Sequence, residues 1–564
     1  MPSPPSVWSV AATVIAALLA VPILAVIFSL AHPAADVWQH LWRTQLAGLI
    51  INTLGLVAAV GAGTLVLGTT LAWLVVAYDF PGRRVFEAAL ILPLAIPAYV
   101  IGFAFLGTFE FAGPLATWIR TTIGWRLPDV PSGVGVAVVM TLVFYPYVYL
   151  LARAAFHEQG AATLETARSL GRSRRRAFFE VALPMARPSI VAGTSLAMME
   201  ALADFGTVST FGYRTLAEGV YRVWYGMFDR VAATQLATLL LFFALGLLLL
   251  ERSLRGRARF VQSQRRGPGV TRARLSGARG LAVAAGCAGV LGLAFVLPAA
   301  QLTTWALADG GLRVRTGFIA TLRNTLVLAG TAALATAVLA LVLAYARRLA
   351  PGGAARFVTQ FVSMGYALPG SVIAVGILVP MAWIDHEIIG RLGALVGRPL
   401  DLVLTGSVVG LLFAYVVRFL AVSFQSLEAS LVKIPGSLDD AARSLGAKIG
   451  TTLRRVHLPL LRSGLLTALV IVFVETMKEM PATLLLRPFG VTTLPIEVWE
   501  RTSESLWSDA AAPALAIVAA GLIPVFLAIR LTDRSWGPRH GPQTPTRSDR
   551  PGKPGPLLDY RRPE

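Results

Sequence analysis

Leu164-Glu165-Thr166-Ala167-Arg168-Ser169-Leu170-Gly171, running on to Leu183-Pro184, is met again as Asp439-Asp440-Ala441-Ala442-Arg443-Ser444-Leu445-Gly446, running on to Leu458-Pro459. Glu165 and Asp440, Gly171 and Gly446, and Pro184 and Pro459 are each 275 residues apart, so the copies share one register. Both lie in basic stretches between long apolar runs, which reads as a duplicated membrane protein with two equivalent loops on one side. The duplication reaches further. Glu200 and Glu475, Asp204 and Glu479, and Trp224 and Trp499 keep the same interval, while Asn52-Thr53-Leu54 and Asn324-Thr325-Leu326, like Pro97 and Pro369, are 272 apart.

Composition sets the class. Of 564 residues, 55% are hydrophobic and only 14% charged, with a mean hydropathy of +0.67, outside the range of soluble domains. Twelve runs have the length of a membrane helix: 7–30, 48–77, 87–109, 134–156, 189–211, 233–250, 281–305, 324–346, 357–383, 402–424, 464–486 and 511–531. They are continuous rather than alternating and exceed the roughly ten residues of a barrel strand, so the expected fold is all-α. With the N-terminus cytoplasmic, roughly two thirds of the Lys and Arg residues fall on cytoplasmic loops, and the positive-inside rule selects that topology. Both pattern copies and the C-terminus are then cytoplasmic. The run at 7–30 has no basic residue before it and a counterpart at 281–305, so it reads as a first span rather than a signal peptide.

Six spans per half place the halves in parallel, with a pathway expected between them. The first half covers 1–250 with its loop at 157–188, the second 281–532 with its loop at 425–463. Residues 251–280, rich in Arg, Gly and Ser, read as a cytoplasmic linker, and 533–564, rich in Pro and Arg, as a disordered tail. The net charge of +20 is Arg dispersed over loops, which suits anionic lipid headgroups and not nucleic acid. Cys287 is the one cysteine and has no partner for a disulfide or a zinc site.

Within the repeated loop, Leu164, Ala167, Leu170 and Gly171 fall at helical spacing, as do Leu438, Ala441, Leu445 and Gly446. Small residues at Ala167 and Gly171, or Ala442 and Gly446, lie four apart, so another surface could approach the backbone closely on that face. Pro184 and Pro459 are expected to interrupt the chain before the next span, giving a short helix, a bend and a second helix.

These residues resemble the cytoplasmic signature of binding-protein-dependent ABC importer permeases, E-A-A-x3-G-x9-I-x-L-P. Glu165, Ala167, Gly171, Val181, Leu183 and Pro184 match in the first copy, and Asp440, Ala441, Ala442, Gly446, Val456, Leu458 and Pro459 in the second. Thr166 replaces the first Ala, Asp440 the Glu, and Val the Ile in both. The resemblance implies a type I ABC importer fold in which each loop carries a coupling helix seated on an ATPase subunit. It also implies two ATPase copies that use ATP and Mg, an extracytoplasmic (periplasmic) binding protein, and an inner-membrane location. Ala201–Tyr213, Asp229–Ala237 and Glu475–Phe489 are further similar to fused ferric iron permeases, which makes iron(III) the implied substrate. Thiamine, phosphonate and polyamine permeases share the architecture.

Glu200 lies twelve residues past Pro188, about 18 Å along a helix and hence near mid-membrane, with Glu475 at the equivalent depth. Asp204 and Glu479 are placed one turn on, on the same face. Ionisable groups at that depth line an aqueous path or pair internally, and Lys478, Arg153, Arg323 and Arg418 are candidate partners. Lining the translocation pathway is therefore expected of Glu200, Asp204, Glu475, Lys478 and Glu479. Asp385-His386-Glu387 reads as a solvated loop, since adjacent residues diverge on a helix and no second ligand cluster accompanies it; no metal site and no catalytic constellation is expected. No G-x-x-x-x-G-K-[ST] segment occurs, so ATP is expected to bind a separate subunit and no cofactor this chain. An ion-coupled transporter would leave the matched loops without a purpose, and a membrane enzyme would lack a His, Ser or Cys partner for the mid-membrane carboxylates at sensible spacing.

Overall fold

The computed structural model describes residues 7–31, 35–111, 113–126, 129–158, 169, 171–255, 272–308, 317–349, 352–397 and 402–536. The chain divides into two units, Met1–Val525 and Phe526–Glu564. The second is described only as the last residues of the helix Trp507–Trp536.

Among the described residues ten helices are long and apolar enough to cross a membrane: Val7–Ala31, Leu46–Ala77, Gly133–Glu158, Arg230–Arg255, Gly277–Ala308, Phe318–Leu349, Gly370–Leu395, Val408–Leu431, Ile449–Lys478 and Trp507–Leu527. Large apolar side chains such as Leu18, Val66, Val138, Leu249 and Leu334 stand exposed on them, the surface that lipid would cover. Twelve spans were expected, and the two shortfalls have separate causes. The run at 87–109 is two helical pieces, Arg83–Ala95 and Ala98–Phe109, bent by 94°, which make an eleventh span if counted as one. Pro97 forces Ile96 out of the helical region, to φ −102 and ψ 124. The related Pro369 does the same to Leu368, at φ −78 and ψ 126. The run at 189–211 stops at Ala203, in a helix that carries Arg187 and Glu200 and is not among the ten.

The duplication visible in sequence is built into the hydrogen bonding. Thr53 Oγ1 accepts from the backbone N–H of Leu216 at 2.9 Å, and Thr325 Oγ1 from that of Leu494 at 2.9 Å. Asn52 Nδ2 donates to the Arg214 carbonyl at 3.0 Å, and Asn324 Nδ2 to that of Thr492 at 3.4 Å. Each Asn-Thr pair thus ties a long helix to the start of a short one in its own half, satisfying buried backbone groups where no lipid could.

The first helix of each half packs on the other half. Val7–Phe28 lies against Gly370–Trp383 and Phe318–Leu349. Gly376 makes room for it, since a Cβ there would stand 2.4 Å from the Pro22 carbonyl oxygen. In the reverse direction Leu297–Ala308 packs on Ala98–Phe109, with the Trp305 ring 6.0 Å from that of Phe103. Small residues at such crossings are the usual means of bringing membrane helices close.

No strand was expected, yet Tyr78–Asp79 pairs in parallel with Ala273–Arg274, and the Leu275 N–H donates to the Asp79 carbonyl at 2.8 Å. Of the segment read as a linker, Glu251–Arg255 is the end of a helix, 256–271 lie outside the described residues, and the remainder is held against the first loop of the first half. Residues 537–564, within the predicted tail, are outside them too.

Candidate functional site

The helices Leu183–Ala203 and Leu458–Lys478 end alike. Asp204 has φ −70 and ψ 123, Glu479 φ −70 and ψ 122, so the chain leaves both helices in an extended conformation. The two carboxylates then turn onto the next short helix, Gly206–Thr210 or Pro481–Leu486. Asp204 accepts from the N–H groups of Thr207 at 2.8 Å and Val208 at 3.3 Å, and from the Thr207 hydroxyl at 3.0 Å. Glu479 accepts from the N–H groups of Ala482 at 2.8 Å and Thr483 at 2.9 Å, and from the Thr483 hydroxyl at 2.6 Å. Each satisfies the orphan donors of a helix start. The expectation that they continue the helical face of Glu200 and Glu475 is therefore corrected: they lie beyond the helix ends, with their oxygens committed to capping.

Between the halves lies a cavity of about 110 Å³ whose wall includes Glu200, Asp204, Glu475, Lys478 and Glu479. All five charged residues singled out from sequence are brought together there. Glu475 pairs with Lys478 at 2.8 Å. Glu200 accepts from the Tyr366 hydroxyl at 2.8 Å, and Arg418 is on the same wall. Arg153, another candidate partner, faces Glu87 instead, at 3.9 Å. Sequence reading missed Tyr99, Tyr147 and Tyr366, which line the cavity from three other helical segments. Nothing in their local pattern marks them, because the contact depends on how distant segments pack.

Glycines let the walls close. At Gly206 a Cβ would meet Met480 Cε at 2.5 Å and Tyr99 Cβ at 2.7 Å. At Gly370 it would meet Arg418 Nη1 at 2.6 Å and Glu479 Oε1 at 2.9 Å. Tyr225 donates across the halves to the Leu484 carbonyl at 3.1 Å, and Tyr221 to that of Pro481.

Of the repeated loops, the second is described in full. Ser437–Ser444 is a helix with Asp439 and Asp440 in its first turn and Arg443 in its last, the charge order that suits a helix dipole. Ala442 is buried, whereas Asp440, Ala441, Arg443 and Leu445 face outward, Leu445 at 87% exposure. Gly446 lies past the helix end with φ 74, and the Ala447 N–H returns to the Ala442 carbonyl at 3.0 Å, closing the turn. It is thus not on one helix face with Ala442, as its spacing suggested; its lack of a side chain serves the left-handed conformation. Gly171 has the same left-handed conformation, with φ 80. Glu165 and Ala167 lie outside the described residues.

Pro184 and Pro459 do not interrupt the chain. Wide π-turns at Phe178–Ala182 and Leu453–His457 run directly into helices that begin at Leu183 and Leu458, with the proline in the first turn, where its missing N–H is tolerated. In the second loop the bend lies earlier, at Gly446.

A charged clamp holds the second loop. Asp439 Oδ2 receives Arg348 Nε at 2.9 Å and Nη2 at 2.6 Å, and Oδ1 stands 3.0 Å from His457 Nε2. His457 Nδ1 is 3.0 Å from the Tyr345 hydroxyl. Arg348 also donates to the carbonyls of Leu431 at 3.0 Å and Ile434 at 3.2 Å. Arg348→Ala is expected to destabilise this loop by about 2 kcal/mol, the value of charged hydrogen bonds lost together. Hydrogen exchange of residues 437–444 should rise in the variant; unchanged protection would show that the clamp holds nothing.

Asp385 is no solvated loop residue, as its sequence neighbourhood suggested. It is 3% exposed and accepts from the N–H groups of Val403, Leu404 and Thr405 at 3.2, 2.9 and 2.7 Å. No group of three or more His, Cys, Asp or Glu placed to hold a metal occurs among the described residues.

A duplicated helical membrane bundle, with matched helix breaks around a central charged cavity and a matched glycine turn in each half, defines a two-half permease. A family model for the binding-protein-dependent transport system inner membrane component matches residues 64–255 and again 337–536, and the chain belongs to that family, carrying its domain twice. It is a multi-pass inner-membrane permease subunit of an ABC importer. Over 498 residues it is 29% identical to the Fe(3+)-transport system permease protein FbpB 2 of Haemophilus influenzae, covering 87% of this chain and 91% of that one. The sulfate transport system permease protein CysT of Escherichia coli is 31% identical over 199 residues, 34% of this chain and 68% of that protein. The molybdenum transport system permease protein ModB of Escherichia coli is 31% identical over 176 residues, 30% and 71%.

Proposed function

We propose that this chain admits ferric iron to the cytoplasm, receiving it from an extracytoplasmic binding protein and driven by two copies of a separate ATPase. The observation that carries the substrate is end-to-end similarity, through both halves, to an Fe(3+) permease; the sulfate and molybdenum permeases match about a third of the chain. Acidic groups around the cavity favour a cation.

The ATPase subunits dock on the loops 157–188 and 425–463, through Glu165, Ala167, Gly171, Leu183 and Pro184 in the first and Asp440, Ala441, Ala442, Gly446, Leu458 and Pro459 in the second. Closure of the motor on ATP draws the two loops together and opens the cavity outward, and hydrolysis resets it. The chain supplies no phosphate-binding loop of its own, its termini are cytoplasmic, and the five charged residues of the cavity line the translocation pathway.

Uptake of labelled ferric iron by cells with and without the chain tests the substrate. Uptake should require both the chain and ATP; thiamine, phosphonate or polyamine uptake in its place would refute it, and ATP-independent transport in liposomes would favour an ion-coupled carrier. Exchanging Glu200 and Glu475 together for Gln is expected to lower uptake roughly tenfold, equivalent to about 1.4 kcal/mol in the transport barrier, without loss of the bound ATPase. Wild-type uptake in that double variant would remove these carboxylates from the pathway.

A further inference from the structure

The cavity wall offers a specific set of atoms. Asp204 and Glu479 spend their oxygens on helix capping, which leaves the tier of Glu200 and Glu475. Two phenols stand on the same wall: Tyr366 donates to Glu200 at 2.8 Å, and Tyr147 lines the cavity with it. A third phenol carries an independent observation. Tyr99 is 6% exposed and lines the same cavity, yet its hydroxyl has no hydrogen-bond partner, and neither has Nη1 of Arg418 elsewhere on the wall. A buried hydroxyl left unpaired is costly, so its place on the wall of a polar cavity points to something that enters the cavity.

We infer that the cavity is a cargo-binding site for a trivalent hard cation, with carboxylate oxygens of Glu200 and Glu475 and the phenol oxygens of Tyr147 and Tyr366 as donors. The inference rests on ferric iron being the substrate, and it names the atoms that take hold of it. Carboxylate and phenolate oxygens are hard donors, matched to a small, highly charged ion. The wall carries four carboxylates against the two cations Arg418 and Lys478, a balance that would repel a divalent oxyanion. Before the ion arrives, Lys478 and Tyr366 occupy one oxygen each of Glu475 and Glu200. When it binds, each ligating phenol gives its proton to cavity water as an iron–oxygen bond replaces the O–H bond. No electron is transferred and the iron stays ferric. The free hydroxyl of Tyr99 then bonds a water held by the ion.

The test uses the chain assembled with its ATPase in lipid nanodiscs and ferric citrate as probe. Phenolate coordination gives ferric iron a visible charge-transfer band, expected in the wild type, weakened in Tyr147→Phe or Tyr366→Phe and absent from the double variant. Labelled iron uptake in the double variant should fall roughly tenfold while ATP hydrolysis by the assembled complex, which reports an intact bundle, is unchanged. Iron uptake by wild type with no such band, or a band of equal strength in the double variant, overturns the site and leaves the substrate standing. A wild type that imports no ferric iron overturns both. Should the double variant fail to assemble, the band of the wild type and of the two single variants decides the matter.

Discussion

A Gly446→Val chain is expected to reach the membrane and import nothing. Gly446 has φ 74 with open space where a Cβ would point, so no clash protects it; the demand is for the left-handed backbone itself. An L side chain there is strained by about 1–2 kcal/mol, and a β-branched one by more. The helix that this turn closes has only eight residues, too few to persist without its ends fixed. Its outward face of Asp440, Ala441, Arg443 and Leu445 would lose its shape while the spans remained packed. Co-purification of the ATPase should drop sharply, with uptake lost in parallel. Undiminished recovery of the ATPase with Gly446→Val would end the view that this turn shapes the docking surface. Gly446→Asn, which tolerates positive φ, should retain most function.

Glu479→Ala is expected to weaken the bundle more than any other single change at the cavity. It strips the cap from the N–H groups of Ala482 and Thr483 and a partner from the Thr483 hydroxyl, all buried. A loss of about 3–5 kcal/mol follows from several buried donors left unpaired at once. Asp204→Ala removes the related cap from a more open position and should lose about 1–2 kcal/mol, the range for a helix cap. Thermal unfolding in detergent measures both. Equal midpoints for Glu479→Ala and wild type would mean that the capping geometry has no energetic weight. A Glu200→Gln, Glu475→Gln chain should lose far less stability than Glu479→Ala, because those side chains cap no helix and a Gln oxygen still accepts from Tyr366 and Lys478, so stability and transport separate by one helical turn.

That separation was hidden in the sequence, where Glu200 and Asp204, like Glu475 and Glu479, differ only by four positions. What was legible was the register: an interval of 275 residues delivered four carboxylates to one cavity because both halves fold alike. Spans were legible as apolar runs, but a run carries no mark of where the backbone leaves the helix. Pro97 gave a visible cause for one break, whereas Asp204 and Glu479 look like ordinary helical acids until the next two N–H groups are seen turning toward them. The phenols were the least accessible feature. Tyr99, Tyr147 and Tyr366 converge only through packing of separate segments, and no periodicity within any one segment encodes that meeting.

The crossed first helices bear on why the two halves share a chain. Val7–Phe28 is bound into the second half and Leu297–Ala308 against the first, so the halves are already interlocked by exchange of arms. The peptide joining them through 256–271 has little cohesion left to supply. Its effect is on stoichiometry: one first half is always made with one second half, and a bundle of two identical halves, with the wrong pair of walls around its centre, is never assembled.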